Sequence, residues 1–140
     1  MANGTTYIVY SDGGSRGNPG EAAYGFVVYD ENKKILKEQG ERIGINTNNV
    51  AEYMGVVSAL KWLKNNGGKD CTINFFLDSE LVASQLNGVY KVKNENLRSL
   101  FFTVKSLQQE LEANITYKAI RREFNKEADR MVNLALDNEV

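Results

Sequence analysis

The feature that most restricts the fold is the apolar run Cys71-Thr72-Ile73-Asn74-Phe75-Phe76-Leu77. It has the length of a strand, is rich in β-branched and aromatic residues, and lies between Gly67-Gly68 and Asp78-Ser79. Such a run reads as a central strand covered on both faces, which requires helices above and below it. The flanking sequence supplies them. Val50, Met54, Val57, Leu60 and Leu63 recur at spacings near 3.6 and predict a helix over 49–65 that stops at Gly67-Gly68. Ser79 to Leu86 reads as a short helix ending near Gly88, Leu97 to Leu111 as a longer one, and Lys126 to Leu136 as a last one. Ile115 to Ile120 is a further strand.

Upstream the period is two. Thr5 to Ser11, Ala22 to Tyr29 and Lys34 to Ile43 read as strands, the last pair joined by turn residues at Asp30-Glu31-Asn32-Lys33. Between the first two, the glycines and single proline of Asp12 to Gly20 predict a loop. The order β-β-β-α-β-α-α-β-α implies an α/β fold with a five-stranded mixed sheet, three antiparallel strands followed by parallel ones, and helices on both faces. A right-handed crossover through the 49–65 helix lays the 71–77 strand parallel to the first. The ends of those two strands carry Asp12 and Asp78, at the edge where open α/β sheets build their sites.

At 140 residues the chain suits one domain over 1–140. Its 17 basic and 18 acidic residues balance to −1, so nucleic acid could be held only by a local patch. There is no histidine, which removes histidine-ligated zinc, Ser-His and Cys-His catalysis, and histidine bases. Cys71 is the only cysteine and fits a reducing compartment. No apolar run approaches the roughly 20 residues of a membrane helix, and residues 1–4 do not read as a signal peptide. A cytoplasmic monomer with no membrane partner is the expectation.

Four acids are candidates for chemistry, and each has a structural explanation when taken alone. Asp12 suits an Asx-turn, Glu52 a capping box with Asn49, Asp78 a helix cap, and Asp129 the first turn of a helix. Jointly they are expected to converge at one sheet edge, where carboxylates raise one another's pKa unless a cation joins them. An oxygen-only set without His or Cys suits Mg²⁺ or Mn²⁺. Two such ions about 4 Å apart serve phosphodiester hydrolysis.

The segments carrying these acids are Tyr10-Ser11-Asp12-Gly13-Gly14-Ser15-Arg16-Gly17-Asn18-Pro19-Gly20, Thr47-Asn48-Asn49-Val50-Ala51-Glu52-Tyr53, Leu77-Asp78-Ser79-Glu80 and Asn125-Lys126-Glu127-Ala128-Asp129. In this order they resemble the four signature blocks of the type 1 ribonuclease H (RNase HI) family, over essentially the whole chain. The resemblance implies a ribonuclease H-like fold and an endonuclease that hydrolyses the RNA strand of RNA/DNA hybrids. It further implies two Mg²⁺ ions, replaceable by Mn²⁺, on Asp12, Glu52, Asp78 and Asp129, and products with 5′-phosphate and 3′-hydroxyl ends. Asn18, Asn48 and Asn49 match minor-groove contacts, Gly13 and Ser15 backbone or small-side-chain contacts, and Thr47 a phosphate contact on the DNA strand. The wide minor groove of an A-like helix exposes 2′-hydroxyls that short amides can read without regard to sequence. Turn and cap chemistry accounts for these residues equally well when they are considered singly.

The chain departs from the family in two places. Many members carry a loop histidine before the last helix; here Arg121 and Arg122 stand there, as in histidine-free, archaeal-like members. Either could assist a phosphate or product release, while a solvent-facing pair with Glu123 is the plainer expectation. A basic, tryptophan-bearing handle is also missing, and Lys91 and Lys93 are the nearest candidates for DNA contact. Glu80 stands where many relatives have Gln, as a further acid near the site or a helix-start charge. Trp62, Tyr24, Phe26, Phe75-Phe76 and Phe101-Phe102 are expected in core or sheet packing. The alternative function is a non-catalytic nucleic-acid-binding module of the same fold, and duplex RNA stays open as a side substrate.

Overall fold

The computed structural model describes residues 5–140. Its elements are β1 (Thr6–Arg16), β2 (Gly20–Asp30), β3 (Ile35–Asn46), α1 (Asn48–Asn65), β4 (Thr72–Leu77), α2 (Glu80–Leu86), α3 (Glu95–Leu111), β5 (Asn114–Ala119) and α4 (Lys126–Leu136). A single 3-10 turn over Arg122–Phe124 links β5 to α4. The strands form one five-stranded sheet in the order β3-β2-β1-β4-β5. β1, β2 and β3 pair antiparallel, while β4 and β5 run parallel to β1, as the element order implies.

The glycine-rich block is not a loop. β1 continues through Gly13, Gly14, Ser15 and Arg16, paired in register with Tyr24, Ala23, Ala22 and Glu21 of β2. Only residues 17–19 turn. Gly13 marks a close approach rather than a break. A Cβ there would lie 2.2 Å from the carbonyl carbon of Ala51 and 2.4 Å from the Glu52 nitrogen. Absence of a side chain is what lets the first turns of α1 rest on β1.

α1 packs against β1, β2 and α3 on one face of the sheet, and its buried face includes Tyr53, Val56, Leu60 and Leu63. These join Val9, Phe26, Ile73, Phe75, Leu77, Val82, Leu86 and Val104 in the main core. α4 covers the other face over β2 and β3. The helix comes so close there that a Cβ on Gly25 or Gly40 would meet backbone oxygens of Ala128 and Met131 at 2.6 and 2.3 Å.

Two expectations about packing need correction. Cys71–Leu77 is not equally covered on both faces: Ile73, Phe75 and Leu77 are buried, but Thr72, Asn74 and Phe76 are only partly so. α4 sits over the antiparallel half of the sheet, so the parallel half is open on that side. Phe76 there stacks on Tyr10 at 5.1 Å, and Tyr10 meets Tyr29 edge-on at 5.8 Å. Phe102 is not core either; it is 59% exposed, because the buried face of α3 runs through Leu97, Val104, Leu107 and Leu111.

Candidate active site

The parallel pairing of β1 with β4 ends at Ser11 opposite Leu77. Asp12 and Asp78 are the next residues on neighbouring strands and therefore stand side by side at the sheet edge. Glu52 comes from α1, above the Gly13 contact that seats the helix on β1. One carboxylate oxygen from each of Asp12, Glu52 and Asp78 lies within 4.8 Å of the others.

None of the three is engaged in the structural role its sequence position allowed. The N-cap of α1 is Thr47, whose hydroxyl accepts from the Val50 N–H at 3.2 Å, so no capping box joins Asn49 to Glu52. Ser79 caps α2, accepting from Val82 N–H at 3.2 Å, and leaves Asp78 free. Asp12 accepts from the Gly13 N–H at 2.9 Å. Asp12 and Glu52 are each only 5% exposed, and the Oε2 of Glu52 is buried without a partner.

Burial and mutual repulsion make the site hungry for cations. Burial, then the negative charge of Asp78, pushes the Asp12 carboxyl up to about 8, against a smaller opposing pull from Glu52 and the Gly13 N–H. Glu52 is raised well above its ordinary range by burial and then by the charges of Asp12 and Asp78. Without a cation Asp12 keeps a proton near neutral pH, and Glu52 holds its own more tightly than an ordinary carboxyl. An unpartnered buried oxygen in an all-oxygen donor set fits a hard divalent ion.

Asp129 stands apart from this triad. It lies in the first turn of α4, 33% exposed, with its Oδ1 3.5 Å from the Arg122 guanidinium. Arg121 makes the expected exposed pair with Glu123 at 3.3 Å. Glu80 is exposed in the first turn of α2 and belongs to the helix start.

The amide-bearing residues form a network beside the acids. Asn48 Oδ1 accepts from the Ser15 N–H at 2.9 Å and from the Ser15 hydroxyl at 3.1 Å. The Asn48 N–H donates to Asn18 Oδ1 at 3.0 Å. Both amide oxygens are thereby used within the protein, and the NH₂ groups of Asn18 and Asn48 have no protein acceptor among the described residues. Asn18, Thr47 and Asn49 also line a depression of about 380 Å³ shared with Asn46, Asn94 and Asn96. The last three were not legible as site residues. Asn94 is the cap of α3, accepting from Leu97 N–H at 3.1 Å. Lys91 and Lys93 are exposed and have no acidic partner among the described residues. The Arg98 guanidinium is committed to the Val92 and Lys93 carbonyls at 3.1 and 3.3 Å.

Comparison with known proteins places this geometry. The RNase H family model matches residues 4–135. The chain is 38% identical over 131 residues to the bifunctional protein Rv2228c of Mycobacterium tuberculosis, covering 93% of this chain and 35% of that protein. It is 37% identical over 130 residues to ribonuclease HI of Halobacterium salinarum, covering 92% of this chain and 63% of that one. The chain thus spans about a third of the Mycobacterium relative's length. Among solved structures, the N-terminal RNase H domain of Rv2228c superposes with a TM-score of 0.90 at 37% identity, covering 96% of each chain. LC11-RNase H1, solved in complex with an RNA/DNA hybrid, superposes with a TM-score of 0.91 at 41% identity, covering 94% of this chain and 97% of that one. The chain belongs to the RNase H family, in its type 1 (RNase HI) form.

Proposed function

We propose that this protein is an endonuclease that hydrolyses the RNA strand of RNA/DNA hybrids, leaving 5′-phosphate and 3′-hydroxyl ends. The observation that carries the reading is the triad of Asp12, Glu52 and Asp78, with oxygens within 4.8 Å of one another and Glu52 Oε2 buried and unpartnered. These residues would hold Mg²⁺, two ions in the working complex, with Mn²⁺ as a substitute. When bound, such ions supply a nucleophile at neutral pH and neutralise charge on the attacking and leaving oxygens.

The chain's own groups do the rest. Asp12 and Glu52 are fixed by a strand and a core helix, so they offer oxygens at set positions with little reorganisation. Asp78, less buried, closes the triad on the solvent side. Asp129 would be the fourth acid to hold the ions, its carboxylate now paired with Arg122 at 3.5 Å. No side chain here is a histidine base, and Arg121 and Arg122 are left to contact phosphate or hasten product release.

Substrate choice rests on neutral donors. The free NH₂ groups of Asn18 and Asn48, with Asn49, face acceptors of the hybrid minor groove, and the Gly13–Ser15 strand gives the duplex close approach. Thr47 uses its oxygen as a cap acceptor and retains its O–H to donate to a DNA-strand phosphate. Lys91 and Lys93 add the only charge at the missing handle. One chain supplies all these groups, which suits a monomer, and the lone buried Cys71 suits the cytoplasm.

The test incubates labelled RNA/DNA, RNA/RNA and DNA/DNA duplexes with Mg²⁺, Mn²⁺ or EDTA. Cleavage of the RNA in hybrids, lost in EDTA, is expected. Folded protein that binds hybrid and cuts nothing with either metal would leave only the non-catalytic binding module.

A further inference from the structure

Asn125 behaves unlike its neighbours. Arg121, Arg122, Glu123, Phe124 and Lys126 are all exposed, yet Asn125 is 1% exposed. It occupies the N-cap position of α4, where asparagine is among the preferred residues because its oxygen can accept from the helix's orphan N–H groups. Here it makes no such bond. Its NH₂ instead donates across the fold to the backbone carbonyl of Ser11 at 2.8 Å, and its Oδ1 is buried without a partner. The side chain has therefore given up a cap and left an acceptor unsatisfied, each a cost to stability, in order to hold Ser11.

Ser11 immediately precedes Asp12. On the other side, the backbone carbonyl of Asn125 accepts from the Asp129 N–H at 3.1 Å. Two hydrogen bonds through one residue thus join the strand that carries Asp12 to the helix turn that carries Asp129. Strand and helix come from opposite ends of the chain, and Asp129 does not itself reach the triad.

We propose that Asn125 is a positioning residue for the metal site: its side-chain bond to the Ser11 carbonyl sets the spacing between Asp129 and Asp12. The inference rests on the proposed function. It predicts that the contact governs metal affinity and turnover and leaves hybrid binding, which uses the asparagine network, alone. Outer contacts that orient metal ligands carry about 10–100-fold in metal affinity or activity.

Asn125→Asp removes the latch's donor and offers the helix a cap that the wild type lacks. An ionised carboxylate has the same size and is a good helix cap, but it cannot donate to Ser11 O. Asn125→Ala removes the latch and adds no cap. Val132→Ala hollows a buried position on the same helix and leaves the latch intact, so it controls for lost stability. For these and the wild type, three measurements are made below the unfolding range: calorimetric titration with Mg²⁺ in the absence of substrate, kcat and KM on a labelled hybrid, and thermal unfolding.

Both Asn125 variants should bind Mg²⁺ roughly tenfold or more weakly and lose roughly 10–100-fold in kcat, with KM for the hybrid within about twofold of wild type. Val132→Ala should lower Tm and leave Mg²⁺ affinity and kcat close to wild type. Wild-type affinity and kcat in Asn125→Ala, which has no donor at any pH, would overturn the inference, as would a Val132→Ala variant that reproduces the Asn125 losses. A wild type that neither binds Mg²⁺ nor cleaves hybrid would overturn the proposed function and the latch together. A cleaving wild type beside unaffected variants would overturn the latch alone.

Discussion

Replacing Asp12 by Asn removes a carboxyl that the fold holds at about 8, against 3.8 for the free group. Between those values the metal-free folded state carries a proton that the unfolded chain has released. This group's contribution to wild-type stability is therefore fully present below pH 4 and falls progressively as pH rises toward 8. Asparagine keeps the shape, still accepts from the Gly13 N–H, and does not titrate. At about 1.4 kcal/mol for each tenfold in proton affinity, the ceiling on the gain at pH 8 is about 5–6 kcal/mol. Glu52, which faces Asp12 directly, readjusts its own proton when Asp12 changes, so about 2–3 kcal/mol is the expected gain, or roughly 6–12 °C in Tm. The assay is thermal unfolding of both proteins in EDTA from pH 5 to 8, repeated with excess Mg²⁺. In EDTA the variant should gain on the wild type as pH rises; with Mg²⁺ only the wild type should be stabilised, and only it should cleave. A wild type whose metal-free stability is flat over this range, with Asp12→Asn no more stable at pH 8, would show that the fold does not hold Asp12 protonated.

Other consequences follow from the same contacts. Mg²⁺ binding must expel the proton that Asp12 retains, so apparent affinity should rise from pH 6 to 8.5 and calorimetric heats should vary with buffer ionisation enthalpy; a pH-independent affinity would contradict the raised carboxyl. Gly13→Ala would drive a methyl to within 2.4 Å of the Ala51–Glu52 backbone, and should cost about 2–4 kcal/mol in denaturant unfolding and displace Glu52, with cleavage largely lost. The Lys91→Ala, Lys93→Ala double variant should raise KM and reduce the slope of log affinity against log salt by roughly 1–2 in binding titrations, with little change in kcat. An unchanged slope would show that neither lysine meets phosphate.

How much of this was legible in the sequence depends on the interaction involved. The alternation of periods places every strand and helix, because hydrophobic periodicity reports which faces are buried. It also places Asp12 and Asp78 side by side through one crossover. The glycines of β1 misled, since glycine reads as a turn in sequence while here it answers to a helix that lies on the strand, a contact between residues about 40 apart. Asn49 and Glu52 have the spacing of a capping box, but Thr47 takes the cap and Glu52 turns inward, a choice decided by the sheet edge beneath. The cover of β4 was overstated because composition reports that a strand is apolar and not which helix lies over it. Phe102 was misplaced for the same reason, one step off the buried stripe of α3. The four acids were recognisable as a set, whereas the closeness of three and the separation of the fourth by Arg122 are matters of geometry alone. Asn125 had the least chance of being recognised, since its position reads as an ordinary helix cap.

The most direct test of the central claim is to locate Mn²⁺ by anomalous scattering in crystals of the protein with an RNA/DNA hybrid and an inactivating Asp78→Asn substitution. Ion density is expected against the oxygens of Asp12 and Glu52, with the RNA strand's scissile phosphate beside it and Asp129 turned from Arg122 toward the site. Ions found only elsewhere on the surface, or a hybrid bound with its RNA backbone away from Asp12 and Glu52, would contradict it.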